Sequence, residues 1–181
     1  MHPACDEQFM HTALTRARLG LEAGEFPVGC VLVLDNRVVV GCGRRQHSSG
    51  PEANEIDHAE IITLRNLLRE QPGIDCARLT LYSTLEPCLM CYSTLLLSGI
   101  RHFVWAYEDV MGGGTGLPLE RLAPLYQDMA PELVPGVLRQ ESLALFAAFF
   151  QEYSYRQDSL LSRYTLEQAR MPPALSPGVC P

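Results

Sequence analysis

His58, Glu60, Cys88 and Cys91 are the residues of this chain whose types and spacing could do chemistry. They stand in two short stretches, His58-Ala59-Glu60 and Pro87-Cys88-Leu89-Met90-Cys91. One imidazole and two thiolates supply three zinc ligands and leave the fourth tetrahedral position open for water, the arrangement that separates a catalytic zinc site from a closed structural one. Zinc lowers the pKa of such a water from about 15.7 towards about 7 and so makes a nucleophile at neutral pH. Glu60, just past the histidine, can reach that water without binding the metal. A carboxylate so placed can take the water's proton and hand it on to a reacting group.

Each piece taken singly has a plainer reading. Cys88 and Cys91 alone fit a redox pair or half of a structural zinc site. Glu60 follows Asp57 at the spacing of an N-terminal capping box, and His58 alone fits a satisfied histidine at a helix start. The conjunction favours the catalytic reading: the order of the residues, the helix starts, Pro87 and the lack of a second cysteine pair all agree.

The elements that must hold these residues are readable from periodicity. Phe9, Ala13, Ala17 and Leu21 recur at a spacing of four and predict a helix over 9–23, with Asp6 as N-cap and Gly24 as its stop. Apolar runs over 28–34 and 37–42, joined by Asp35-Asn36, predict a β-hairpin. Residues 44–56 are polar and read as loop. A helix over 57–70, a strand over 79–84, a helix over 88–98 and a strand over 102–106 follow. Gly112 to Gly116 reads as a mobile loop, too weak a pattern for phosphate binding. A short fifth strand falls within 132–138, a helix over 141–153, and a further helical stretch within 158–170. His58 and Cys88 thus fall in the first turns of two helices, whose positive dipole ends favour thiolate at Cys88. Cys91 returns to the same helix face one turn later, and Pro87 suits a helix start because it has no amide proton to leave unpaired.

The pattern H-x-E followed by P-C-x-x-C is the signature of zinc nucleobase deaminases. Through roughly residues 5–150 the chain resembles the cytidine/deoxycytidylate deaminase superfamily, in particular its branch of tRNA adenosine deaminases and guanine deaminases. Phe26-Pro27-Val28-Gly29-Cys30 is similar to a family segment whose glycine lets the base approach the backbone. The resemblance therefore implies substrate contacts at Phe26, Val28 and Gly29. Residues 81–91 are very similar to the tRNA adenosine deaminase and guanine deaminase version. Asp109 stands where those relatives also carry an aspartate near the substrate; its plainer reading is a surface turn acid. The tRNA-editing relatives carry an asparagine after the second strand, whereas this chain has Gly43-Arg44-Arg45-Gln46-His47. Arg45 is the nearest match and could bind a phosphate or a carbonyl edge, and Asn54 could substitute for the missing amide. In the similar guanine deaminases a C-terminal segment closes over an active site, sometimes the partner's. The same role is implied for the segment carrying Tyr153, Tyr155 and Tyr164.

The resemblance implies a three-layer α/β/α fold with a central mixed sheet of about five strands. It divides the chain into a deaminase domain over 1–155 and a C-terminal extension over 156–181, helical and then proline-rich. One zinc per chain and a homodimer are also implied.

Size and composition agree with a single domain. The chain has 181 residues, 47% hydrophobic and 19% charged, within the ordinary range of globular proteins. No apolar run approaches the roughly 18 residues of a membrane span, and the N-terminus lacks a basic segment followed by an apolar one. Seven cysteines is an odd number, and Cys5, Cys30, Cys42, Cys76 and Cys180 show no framework spacing, so a reducing cytoplasm is expected, with Cys30 and Cys42 as small apolar strand residues. His2, His11, His47 and His102 are read as non-ligands, His47 being the one worth testing. A net charge of −7 gives little phosphate neutralisation and argues for a small-molecule substrate over nucleic acid. The expected activity is hydrolytic, zinc-dependent deamination of a nucleobase or nucleoside, guanine among them. The alternative is a tRNA-specific adenosine deaminase, converting A to I; an alternative of another class is a non-catalytic structural-zinc or redox module.

Overall fold

The structure, a computed structural model, describes residues 3–153 and 157–171. The strands are β1 (Gly29–Leu34), β2 (Val38–Arg44), β3 (Leu79–Leu85), β4 (His102–Tyr107) and β5 (Glu132–Val134). The helices are α1 (Pro3–Glu22), α2 (Ala59–Glu70), α3 (Leu89–Leu97), α4 (Pro124–Gln127), α5 (Arg139–Glu152) and α6 (Leu160–Gln168). They build a mixed sheet in the order β2-β1-β3-β4-β5. β1 runs antiparallel to β2 and β3, and β3, β4 and β5 run parallel.

Alternation along the central strands fixes the layers. Val31, Val33, Tyr82, Val104 and Ala106 face one side and pack with Phe9, Met10, Ala13 and Leu14 of α1. Cys30, Leu32, Leu81, Phe103 and Trp105 face the other and pack with Ile61, Leu64 and Leu67 of α2 and Tyr92 and Leu95 of α3. Because successive strand residues point to opposite faces, two apolar sets on one strand demand helices on both sides. The three-layer α/β/α expectation describes this arrangement. No helix among the described residues is long and apolar enough to cross a membrane.

Element boundaries depart from the sequence reading where tertiary contacts intervene. Asp6 does not cap α1. The helix begins earlier, at Pro3, and Asp6 lies within it, 6% exposed, accepting a 2.7 Å hydrogen bond from the Tyr82 hydroxyl. His58 and Cys88 sit one position before their helices rather than inside the first turn. Cys5, Cys30, Cys42, Cys76, Cys88 and Cys91 are free thiols, with Cys30 buried and Cys42 half-buried. The expectations for His2, Tyr155, Cys180 and the proline-rich tail lie outside the described residues.

Gly29 is where α1 meets the sheet. A Cβ there would stand 2.1 Å from the Ala13 carbonyl oxygen and 2.4 Å from the Ala17 nitrogen. Both are backbone atoms of a helix and cannot rotate away. Overpacking of this kind costs about 1–3 kcal/mol and occasionally more. Gly29→Ala is expected to fall at the upper end, about 3 kcal/mol by urea denaturation. A loss below about 1 kcal/mol would mean that α1 slides without penalty.

Candidate active site

Two helix starts meet at the end of β3. His58 is the N-cap of α2 and Cys88 the N-cap of α3, both extended and neither using its side chain as a cap. Their side chains turn instead to one another and to Cys91. His58 Nδ1 lies 3.5 Å from Cys88 Sγ and 3.5 Å from Cys91 Sγ, and the three donor atoms all lie within 4.8 Å of one another. Zinc bonds of about 2.3 Å to sulfur and about 2.0–2.1 Å to nitrogen, at a tetrahedral angle, separate N and S by about 3.5 Å. The trio therefore fits a single zinc ion. The other imidazole nitrogen, Nε2, is 3.8 Å from a Glu55 carboxylate oxygen.

Glu60 stands beside this trio. It is 3% exposed; Ser83 Oγ donates to its Oε1 at 3.3 Å, and its Oε2 is 3.6 Å from Cys91 Sγ. The capping-box reading fails, because Asp57 is occupied elsewhere: it accepts from Asn54 Nδ2 at 2.9 Å and contacts His47 Nδ1 at 2.7 Å. Burial pushes the Glu60 carboxyl above its ordinary range, against the pull of His58. Cys88 is drawn down to about 4, chiefly because Cys91 and then His58 direct hydrogen bonds to its sulfur, against the opposing effect of burial. Cys91, deeper, is pushed up by that same pairing and by burial.

His58, Cys88 and Glu60 line a cavity of about 130 Å³, while Cys91 is fully buried outside its wall; one water takes roughly 10–15 Å³ on that measure. Of the residues implicated by sequence, Phe26, Val28, Arg45 and Asp109 line it. Gly29 does not; the face a side chain would occupy is turned to α1, and its amide donates to Thr84 Oγ1 at 3.0 Å. Asn54 is also outside the wall. Its side chain accepts from the amides of Ile56 and Asp57, both at 2.9 Å, and so shapes the loop before α2. Asp109 accepts from the amides of Met111 and Gly112, and burial raises its pKa in spite of those bonds. His47, pinned by Asp57, is not in the metal group.

Sequence reasoning missed Glu55, Glu86, Phe150, Ser159 and Leu161, all in the wall. Glu86 directly precedes Pro87 of the motif, a signal that could have flagged it. Ser159 and Leu161 belong to the start of α6, which packs on the same chain: Tyr164 donates to Glu108 at 2.7 Å and Tyr107 meets Thr165 at 3.1 Å. Tyr153 and Tyr164 lie outside the wall; Tyr153 stacks on Phe149. The glycine run is not a slack loop. Gly113 bridges to Cys88, Gly114 donates to the Pro87 carbonyl at 2.9 Å, and a Cβ on Gly114 would stand 2.7 Å from the Leu89 backbone. It buttresses the Cys88 segment by close approach.

Comparison with known proteins agrees with this geometry. The cytidine and deoxycytidylate deaminase zinc-binding region matches residues 3–107. The tRNA-specific adenosine deaminase of Haemophilus influenzae is 35% identical over 147 residues, covering 81% of this chain and 84% of that protein. A solved structure from work on A-to-I editing by tRNA:A34 deaminases is 30% identical, covers 76% of this chain and 98% of its own, and superposes with a TM-score of 0.63. A guanine deaminase from Nitrosomonas europaea shares the fold, with a TM-score of 0.63 at 21% identity over 79% of this chain and 83% of its own. The chain belongs to the cytidine and deoxycytidylate deaminase family. It is a zinc-binding deaminase, a hydrolase of carbon–nitrogen bonds in amino-substituted bases. The argument from net charge against a nucleic-acid partner does not stand on its own beside relatives named for tRNA.

Proposed function

We propose that His58, Cys88 and Cys91 hold one zinc ion and that Glu60 carries protons in the deamination of a single amino-substituted base. The observation that carries this reading is the buried Glu60 carboxyl beside the three metal donors, 3.6 Å from Cys91 Sγ. A structural zinc or redox module has no use for it. Zinc when bound supplies Lewis-acid chemistry that brings water's pKa towards about 7. Glu60 takes a proton from the attacking water and gives it to the ring nitrogen. It then helps deliver a proton to the departing amine, so that an amino base and water become an oxo base and ammonia. Its raised pKa suits an acid that must release as well as accept.

The wall supports a free base or nucleoside, guanine among them, as substrate. Phe26, Leu85, Phe150 and Leu161 offer apolar faces, and the start of α6 closes one side of the pocket within the same chain. A second reading, deamination of an adenosine in tRNA, has the stronger support from sequence similarity: identities of 27–35% to proteins named for tRNA, against 21–27% for proteins named as guanine deaminases. Ammonia release by the zinc-loaded protein, measured side by side on guanine, guanosine, adenine, adenosine, cytosine, cytidine, dCMP and tRNA, separates the two. Turnover of a free base or nucleoside with intact tRNA left unchanged is the expected result; inosine formed in tRNA, with free bases untouched, would establish the second reading instead.

A further inference from the structure

Any part of a substrate that does not fit inside the pocket must leave through its mouth, and the wall residues that reach solvent show where the mouth is. Of the described residues lining the cavity, only Glu55 and Met111 are exposed, at 65% and 43%. Glu55 stands in the loop before α2 and Met111 in the stretch after β4. The Glu55 carboxylate lies close to the reacting centre. One of its oxygens is 3.8 Å from Nε2 of the metal donor His58 and 3.6 Å from Arg45 Nη2. Ile56, Val110 and Leu160, each next in the chain to a wall residue, are exposed apolar side chains and bring no positive charge.

Charge decides what passes such an opening. The carboxyl groups of Glu55, Glu60, Glu86 and Asp109 stand in the wall against one guanidinium, that of Arg45. The two cysteine thiolates offset the charge of a bound zinc. Arg45 is 3% exposed and already committed. Its Nη2 donates to the Asn54 carbonyl at 2.6 Å, beside Glu55, and its unpaired Nη1 is cut off from solvent. An anchor for phosphate needs a cation that solvent can reach, and the wall offers none. An incoming phosphate meets the exposed acid instead, and like charges brought together in this way cost affinity and suppress wrong partners.

We propose that Glu55 is a specificity-determining residue that turns phosphate away at the mouth of the pocket. The enzyme accordingly takes uncharged bases and nucleosides and rejects the corresponding nucleotides and polynucleotides. The proposal rests on the deaminase reading and deepens it, because it names the charge class of the substrate and the side chain that sets it.

Pairs that differ only in the phosphate test this on the zinc-loaded protein: guanosine with GMP, adenosine with AMP, cytidine with CMP. For whichever nucleoside is deaminated, kcat/KM is expected to exceed that of its nucleotide by about tenfold or more. One unit charge about 4 Å from another is worth roughly fivefold in a water-like surrounding. Glu55→Gln should therefore narrow the ratio by about fivefold, and Glu55→Lys, which reverses the charge, by about 25-fold. The ratio cancels any effect of either change on zinc or on the chemical step. Raising the ionic strength from about 0.01 M to about 1 M, which shortens the Debye length from about 30 Å to about 3 Å, should narrow the wild-type ratio too, as a steric role would not. A nucleotide or tRNA turned over as well as the uncharged substrate overturns the proposal. So does a ratio unmoved by Glu55→Lys, or by Glu55→Gln should the lysine variant not fold. Turnover of free bases with nucleosides and nucleotides alike excluded also overturns it, since the mouth would then sort by size. If no heterocycle and no tRNA releases ammonia, the deaminase reading has failed separately. Calorimetry with deaminated ligands then decides the role of Glu55, xanthosine against XMP and inosine against IMP. Weaker binding of the nucleotides, relieved in Glu55→Lys, upholds it; equal binding, tighter binding of the nucleotides, or no binding by any of the four overturns it.

Discussion

Glu60→Ala is expected to lower ammonia release by about 10³–10⁴-fold while zinc stays bound at one per chain. The upper range applies because one carboxyl serves successive proton transfers, and each positioned acid or base contributes about 10²–10⁴-fold. The side chain sits in the first turn of α2, 3% exposed, with Ser83 Oγ donating to one oxygen. The metal donors His58, Cys88 and Cys91 do not include it, which is why metal content and turnover should separate. Glu60→Gln keeps the shape and the Ser83 contact and should be almost as inactive. Zinc measured by atomic emission, with activity followed in parallel, checks the claim. Retained turnover in a zinc-loaded Glu60→Ala protein would remove Glu60 from the reaction.

Cys91→Ala should do the reverse and lose metal and turnover together. Cys91 is fully buried in the core cluster on the α2 and α3 side of the sheet. Alanine leaves only a small gap there, so the folded core should persist. Two donors remain, too few for the closed grip that three provide. Zinc content is expected to fall below about one-tenth per chain and ammonia release below detection. The loss should also appear in stability. A ligand bound at about 1,000 times its Kd adds about 4 kcal/mol to the folded state, so added zinc should raise the wild-type Tm and leave that of Cys91→Ala unmoved. Full metal content in the variant would mean that the three donors do not form the site.

The parts of this molecule that were readable from sequence are those decided over short distances. The strands β1 to β4 and helices α2 and α3 follow from apolar periodicity. The metal donors follow from two local patterns, each set at the start of a helix. What escaped was decided by contacts between distant segments. Asp6 looks like a cap until Tyr82 claims it from across the core. Gly29 looks like a substrate contact until α1 lies against it. The glycines at 113 and 114 look slack until the Cys88 segment packs on them. The α6 wall and the unpaired Arg45 donor have no one-dimensional signature, since both depend on where a chain end and a loop settle against the sheet.

The catalytic grip and the rest of the pocket come from different parts of the chain. The metal donors and Glu60 arise at the helix starts on two neighbouring segments, anchored in the core. Arg45 and Glu55 come from the connection between β2 and α2, Asp109 from the stretch after β4, and Ser159 and Leu161 from the start of α6. Insertions, deletions or exchanges in those outlying pieces can retune which ring is admitted while the reacting centre is inherited intact. A scaffold divided in this way can diversify its diet without relearning its chemistry.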